Sequence, residues 1–105
     1  MSYFNSTQKN MSFTDVLVNI ERFIKASPDN RNRLAVGTDS QVKGRCTCFA
    51  TGIHIHRIGQ GAWCCVDKTI ERKRYTSLKE KISMETLMTY ETVFKLNELL
   101  IDMLC

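Results

Sequence analysis

Apolar residues early in the chain recur at helical spacing. Phe13, Val16, Leu17, Ile20, Phe23 and Ile24 fall on one stripe, the pattern of a helix that buries one side. Ser12, with Asp15 three residues on, supplies a capping-box start, and Met11 and Val16 flank it as a hydrophobic staple. Ser27-Pro28-Asp29-Asn30 supplies the stop. The period then changes. Leu34-Ala35-Val36 is a short apolar run that reads as the inside of a buried strand over 33–39. Phe49, Thr51, Ile53 and Ile55 alternate with Ala50, Gly52, His54 and His56, which predicts a second strand over 45–58. Ile58-Gly59-Gln60-Gly61 is a hairpin turn by its glycines. A third strand over 62–70 sets Trp63, Cys65 and Asp67 on one face and Cys64, Val66 and Ile70 on the other. Strands joined by such short turns form an antiparallel meander.

Helical spacing returns after Glu71-Arg72-Lys73-Arg74-Tyr75. Ser77-Leu78-Lys79-Glu80 is a second capping box. It opens a helix over 78–104 whose stripe is Leu78, Ile82, Glu85, Thr89, Val93, Leu96, Leu100 and Met103. Residues 1–11 are polar and read as a flexible N-terminus, apart from Tyr3 and Phe4, whose rings call for a docking place. Residues 12–105 then make one α/β domain, helix first, meander second, long helix last.

Composition narrows the partners and the compartment. A hydrophobic fraction of 43% over 105 residues suits a single folded domain with a modest core. The net charge of +4 permits a polyanionic partner such as nucleic acid without requiring one. No apolar run is long enough to span a bilayer, and Met1-Ser2-Tyr3-Phe4-Asn5-Ser6 lacks the basic and apolar regions of a signal peptide. Five cysteines without an export signal are expected as reduced thiols in a cytoplasmic protein.

Two carboxylates stand out against this pattern. Asp39 ends the apolar run in Gly37-Thr38-Asp39-Ser40-Gln41, where it either caps a turn or meets a cation. Glu85 interrupts the stripe of the last helix, either at the solvated border of that stripe or facing a partner. The Gly37–Gln41 pentapeptide, the strand Ile53-His54-Ile55-His56-Arg57 and the helix start from Ser77 to Glu85 resemble the YkuK-like family of ribonuclease H-like proteins, which are predicted nucleases. The resemblance covers about residues 12–100. It implies a ribonuclease H-like fold in which Asp39 and Glu85 hold Mg²⁺ or Mn²⁺ and catalyse phosphodiester hydrolysis, and in which the two carboxylates approach within about 5–8 Å, a gap that metal ions can bridge. Ser40 and Gln41 would then hydrogen-bond the nucleic-acid backbone. Lys68, Arg72, Lys73 and Arg74, with Lys79 and Lys81, form a basic cluster for phosphates, although Asp67, Glu71 and Glu80 are interspersed and a solvated mixed surface fits as well.

The resemblance also implies later strands and a further carboxylate that this chain does not carry, so the domain is expected to be a partial ribonuclease H-like fold with an incomplete metal site. A non-catalytic module that binds nucleic acid or protein is the alternative. With its outer neighbour missing, the strand over 33–39 becomes an exposed edge, and self-association through it or through the last helix is expected. Zinc held by Cys46, Cys48, His54, His56, Cys64 and Cys65 is the rival metal chemistry. A turn centred on Gly59-Gln60 brings only His54 to Cys65 and sets His56 against Trp63, too few ligands for a closed site.

Overall fold

Capping and alternation become architecture with small changes. The computed structural model describes residues 2–27 and 31–104, the last two by backbone only. Pro28, Asp29 and Asn30 of the expected helix stop lie outside the described residues, as does the side chain of Met103 at the end of the expected stripe. Helix α1 spans Phe13–Lys25, and its capping box forms in full. The Ser12 Oγ accepts from the Asp15 amide at 3.1 Å, while the Asp15 carboxylate accepts from the Ser12 amide at 2.9 Å. Such a cap stabilises a helix by about 1 kcal/mol.

The meander forms as strands β2 (Asn32–Lys43), β3 (Cys46–Arg57) and β4 (Ala62–Glu71), all antiparallel. Gly44 turns β2 into β3 at φ 59°, a left-handed conformation in which a side chain would clash with its own backbone. The hairpin from β3 to β4 closes through an Arg57 amide to Gly61 carbonyl bond of 2.8 Å. That closure corrects the expected register by one residue. His54 lies opposite Cys64 and His56 opposite Ala62, not Cys65 and Trp63.

A fourth strand was not expected. Tyr3–Phe4 forms β1, which pairs with the outer side of β4 and completes the sheet order β1-β4-β3-β2. The docking place expected for Tyr3 and Phe4 within residues 1–11 is thus the border of β4. Tyr3 is 1% exposed and its backbone is locked to Met11 by two bonds of 2.8 Å. Burial, with Asp67 nearby, pushes the Tyr3 phenol up to about 12.

Both helices lie on one face of the sheet. Val16, Leu17 and Ile20 of α1 and Leu96 and Leu100 of α2 (Leu78–Leu104) close over Ile53, Ile55 and Cys65. Cys65 is fully buried, and that burial raises its thiol to about 12. The stripe expected along α2 is only half used. Leu96 and Leu100 are buried, whereas Leu78, Ile82 and Val93 are 69%, 51% and 45% exposed. The opposite face of β2 and β3 carries small and polar residues, Ala35, Gly37, Asp39 and Gln41 beside His54, Gly52, Ala50 and Cys48.

Candidate acidic site at the sheet edge

Strand β2 is one border of the sheet, and α2 runs along it. A chain of hydroxyls seats the helix. Thr89 donates to the Thr38 Oγ1 at 2.9 Å, and Thr38 shares a 3.0 Å bond with Thr51 of β3. Helix and strand run in opposite senses here. Four residues back along a helix and two forward along a strand each cover about 6 to 7 Å. The next contact after Thr38–Thr89 is therefore Ser40–Glu85, and the Ser40 hydroxyl does donate to the Glu85 carboxylate. Glu85 is half-buried against the sheet.

Asp39 starts from the other face, because successive strand residues point to opposite sides. Its carboxylate nevertheless returns to the border, where its Oδ1 accepts from the Ser40 amide at 2.9 Å. Asp39 and Glu85, expected to face each other, both contact a third residue. Ser40 holds one carboxylate with its amide and the other with its hydroxyl. Alternation was visible in the sequence. The side chain turning back over a free strand border was not.

The remaining candidates divide. Gln41 is exposed on the open face, opposite Cys48. Lys68 also lies on that face, its ammonium 5.6 Å from the Phe4 ring centroid. Lys73 and Arg74, which follow Arg72, are held at the β2–β3 turn end of the sheet instead. The Arg74 guanidinium donates to the Gly44 carbonyl at 2.7 Å, and Thr47 donates to the Lys73 carbonyl at 2.8 Å. This brings Lys43 and Arg45 to the same end of the sheet, a grouping hidden by about thirty residues of intervening chain. Lys73 is partly neutralised by Glu80 at 2.5 Å, a hydrogen-bonded contact that raises its pKa. Asp67 is 7% exposed, on the helix side of β4 in one row with Thr51 and Thr38.

Donor chemistry at Ser40 suits a hard cation, since carboxylate and hydroxyl oxygens are the ligands Mg²⁺ and Mn²⁺ prefer. The donor number is small. Among the described residues, no three His, Cys, Asp or Glu side chains converge on a point. Asp39, Ser40 and Glu85 together offer fewer oxygen donors than the octahedral set of about six that Mg²⁺ takes. Beside it, a cavity of about 470 Å³ is lined by Gly37, Thr38, Glu85, Thr86, Thr89 and Tyr90.

A sequence profile described as ribonuclease H-like matches residues 15–104. The uncharacterized protein YkuK of Bacillus subtilis (strain 168) is 41% identical over 91 residues, 86% of this chain and 52% of that protein. The chain spans about half the length of that curated relative. No solved structure matches it.

Proposed function

This chain belongs to the ribonuclease H-like family, and from that premise we propose that its Ser40 corner is the acidic site of a metal-dependent phosphodiester hydrolase acting on nucleic acid. The observation that carries the proposal is the joint hold of Ser40 on Asp39 and Glu85 at the free border of the sheet. A divalent ion bound there would supply charge stabilisation to a phosphodiester. The chain's own parts have separable tasks. Asp39 and Glu85 are the ligands, and Ser40 fixes their spacing through two atoms of one residue. Lys43, Arg45, Arg72 and Arg74 draw the polyanion to the adjoining end of the sheet.

The small donor set limits what the 105-residue chain does alone. Nuclease activity is expected to be very weak even with Mn²⁺. Ion binding is the direct test. At about ten times the dissociation constant, Mg²⁺ or Mn²⁺ should stabilise the fold by about 1.4 kcal/mol, and Asp39→Asn or Glu85→Gln should abolish the gain. A melting temperature unmoved by either ion would remove the metal role. Robust cleavage of an RNA–DNA hybrid, lost in Asp39→Ala and Glu85→Ala, would instead show that another group completes the site.

The second reading is a binding module without catalysis, favoured by the basic end of the sheet. Binding of single-stranded or hybrid oligonucleotides should weaken as salt rises. Arg72→Glu with Arg74→Glu should reduce affinity at least tenfold, while Lys68→Glu, on the other face, should change it little.

A further inference from the structure

Strand β2 presents its border in a form that selects what can pair with it. The Arg31 carbonyl accepts from the Ile58 amide at 3.1 Å, so odd-numbered residues turn their backbone groups inward to β3. The Ser40 amide is instead taken by the Asp39 side chain, which places even-numbered residues outward. Leu34, Val36 and Thr38 therefore direct amides and carbonyls away from β3 along a strand of 12 residues. Nothing in Leu34-Ala35-Val36-Gly37-Thr38 blocks the border, neither proline nor bulge nor an inward charge. Above it lies an apolar cavity of about 350 Å³, lined by Leu34, Val36, Val93, Leu96, Leu100 and Ile101.

We propose that β2 pairs with β2 of a second copy of this chain, antiparallel and centred on Val36, so that Arg33 of each copy meets Asp39 of the other. Charges within the strand choose the register, since centring on Ala35 would pair Asp39 only with Arg31, outside β2. Centring on Val36 sets Arg33 opposite Asp39 twice, both on the open face of the sheet. Centring on Thr38 sets Arg33 opposite Lys43, a like-charge pair, and centring on Gly37 leaves Arg33 opposite Gln41 and Asp39 opposite Ala35. A shift by one residue would send the backbone groups of one strand the wrong way. In the Val36 register, Val36 meets Val36 and Leu34 meets Thr38 as hydrogen-bonded pairs, which gives about six new backbone bonds. Arg33 and Asp39 fall on non-hydrogen-bonded pairs, where side chains lie closest.

Pairing also completes the apolar surface. The two-fold axis brings the two Leu34–Val36–Leu100 cavities to face each other, and it covers Val93 and Ile101, which are 45% and 52% exposed in one copy. Asp39 gives up the Ser40 amide and turns to Arg33 of the second copy. This inference reads only the border and its charges, and it competes with the metal role for the Asp39 carboxylate.

Sedimentation equilibrium of the metal-free chain tests the proposal. The natural sequence should be dimeric, and Arg33→Asp or Asp39→Arg alone should each weaken association about tenfold or more, by placing like charges opposite one another twice. Mixed in equal amounts, the two variants should form a one-to-one heterodimer, seen by native mass spectrometry, since every opposing pair is then complementary. A natural sequence that stays monomeric at millimolar concentration would overturn the proposal. So would a mixture that associates no better than its components, which would point to a different partner on this border.

Discussion

Ser40 shows how much one residue can decide. Its neighbours in the pentapeptide invited attention because a carboxylate and a glycine adjoin an apolar run, yet the serine itself binds both acidic groups. Glu85 was legible as an inward-facing group, because it interrupts an otherwise apolar stripe and needs a partner there. The partner was not legible, since its identity depends on how α2 is offset along β2. Removing the hydroxyl leaves the Glu85 carboxylate half-buried without its donor. Ser40→Ala is expected to cost about 1 to 3 kcal/mol in urea unfolding, and Ser40→Thr is expected to recover part of the loss. Two other residues govern the response to alkali. Tyr3 and Cys65 have folded-state pKa values raised to about 12 from ordinary values of 10.0 and 9.0. A raised folded pKa means that the neutral group favours the fold, fully below the unfolded value and less as pH climbs through the folded one. Stability should hold to about pH 9 and fall between there and about pH 12. Cys65→Ala, although less stable overall, should show a shallower fall. Cys64, exposed on the other face, should react with a thiol reagent while Cys65 stays protected until unfolding.

At the scale of elements, alternation and capping carried most of the information. The Ser12–Asp15 box and the Gly59–Gly61 hairpin predicted the right boundaries within a residue or two, because each depends on local backbone chemistry. The hairpin register slipped by one, since more than one loop length closes around the same glycines. β1 was illegible for a physical reason. Two residues have no period to detect, and Tyr3–Phe4 become a strand only because the border of β4 is there to receive them. The helix stripe misled at its start, where Leu78 and Ile82 satisfy the pattern yet stay more than half exposed. Substituting Ile82 with Lys is accordingly expected to shift stability by less than about 0.5 kcal/mol, whereas Leu96→Ala should cost about 2 to 5 kcal/mol. Chemical denaturation of the two variants checks this contrast.

For the whole molecule, the sheet is asymmetric about its long axis. One border, β1, is a short strand tied down by Met11, and the other, β2, is long and has only β3 beside it among the described residues. Native hydrogen exchange of dilute, monomeric protein should register this directly. Amides of Ala35, Gly37 and Asp39 should be protected by β3, while those of Val36 and Thr38 exchange quickly. Deletion of residues 2–11 should destabilise the fold by about 3 kcal/mol or more, because it empties the Tyr3 and Met11 positions of the core. Full cooperativity of thermal unfolding after that deletion, with an unchanged midpoint, would show that β1 is decoration.

The pairing of Tyr3 with Asp67 has a consequence in time. On a ribosome adding about 5 to 20 residues per second, roughly 3 to 13 s pass between the two partners. During that interval α1 has its cap and β2 has β3, both from nearby sequence, but the Tyr3 ring has nowhere to go. The beginning of the chain therefore cannot dock until β4 has been made, later than α1 and the β2–β3 pair. Early synthesis leaves an aromatic residue and an open strand border in the same nascent chain, and the interval should lengthen with every codon that slows translation before β4.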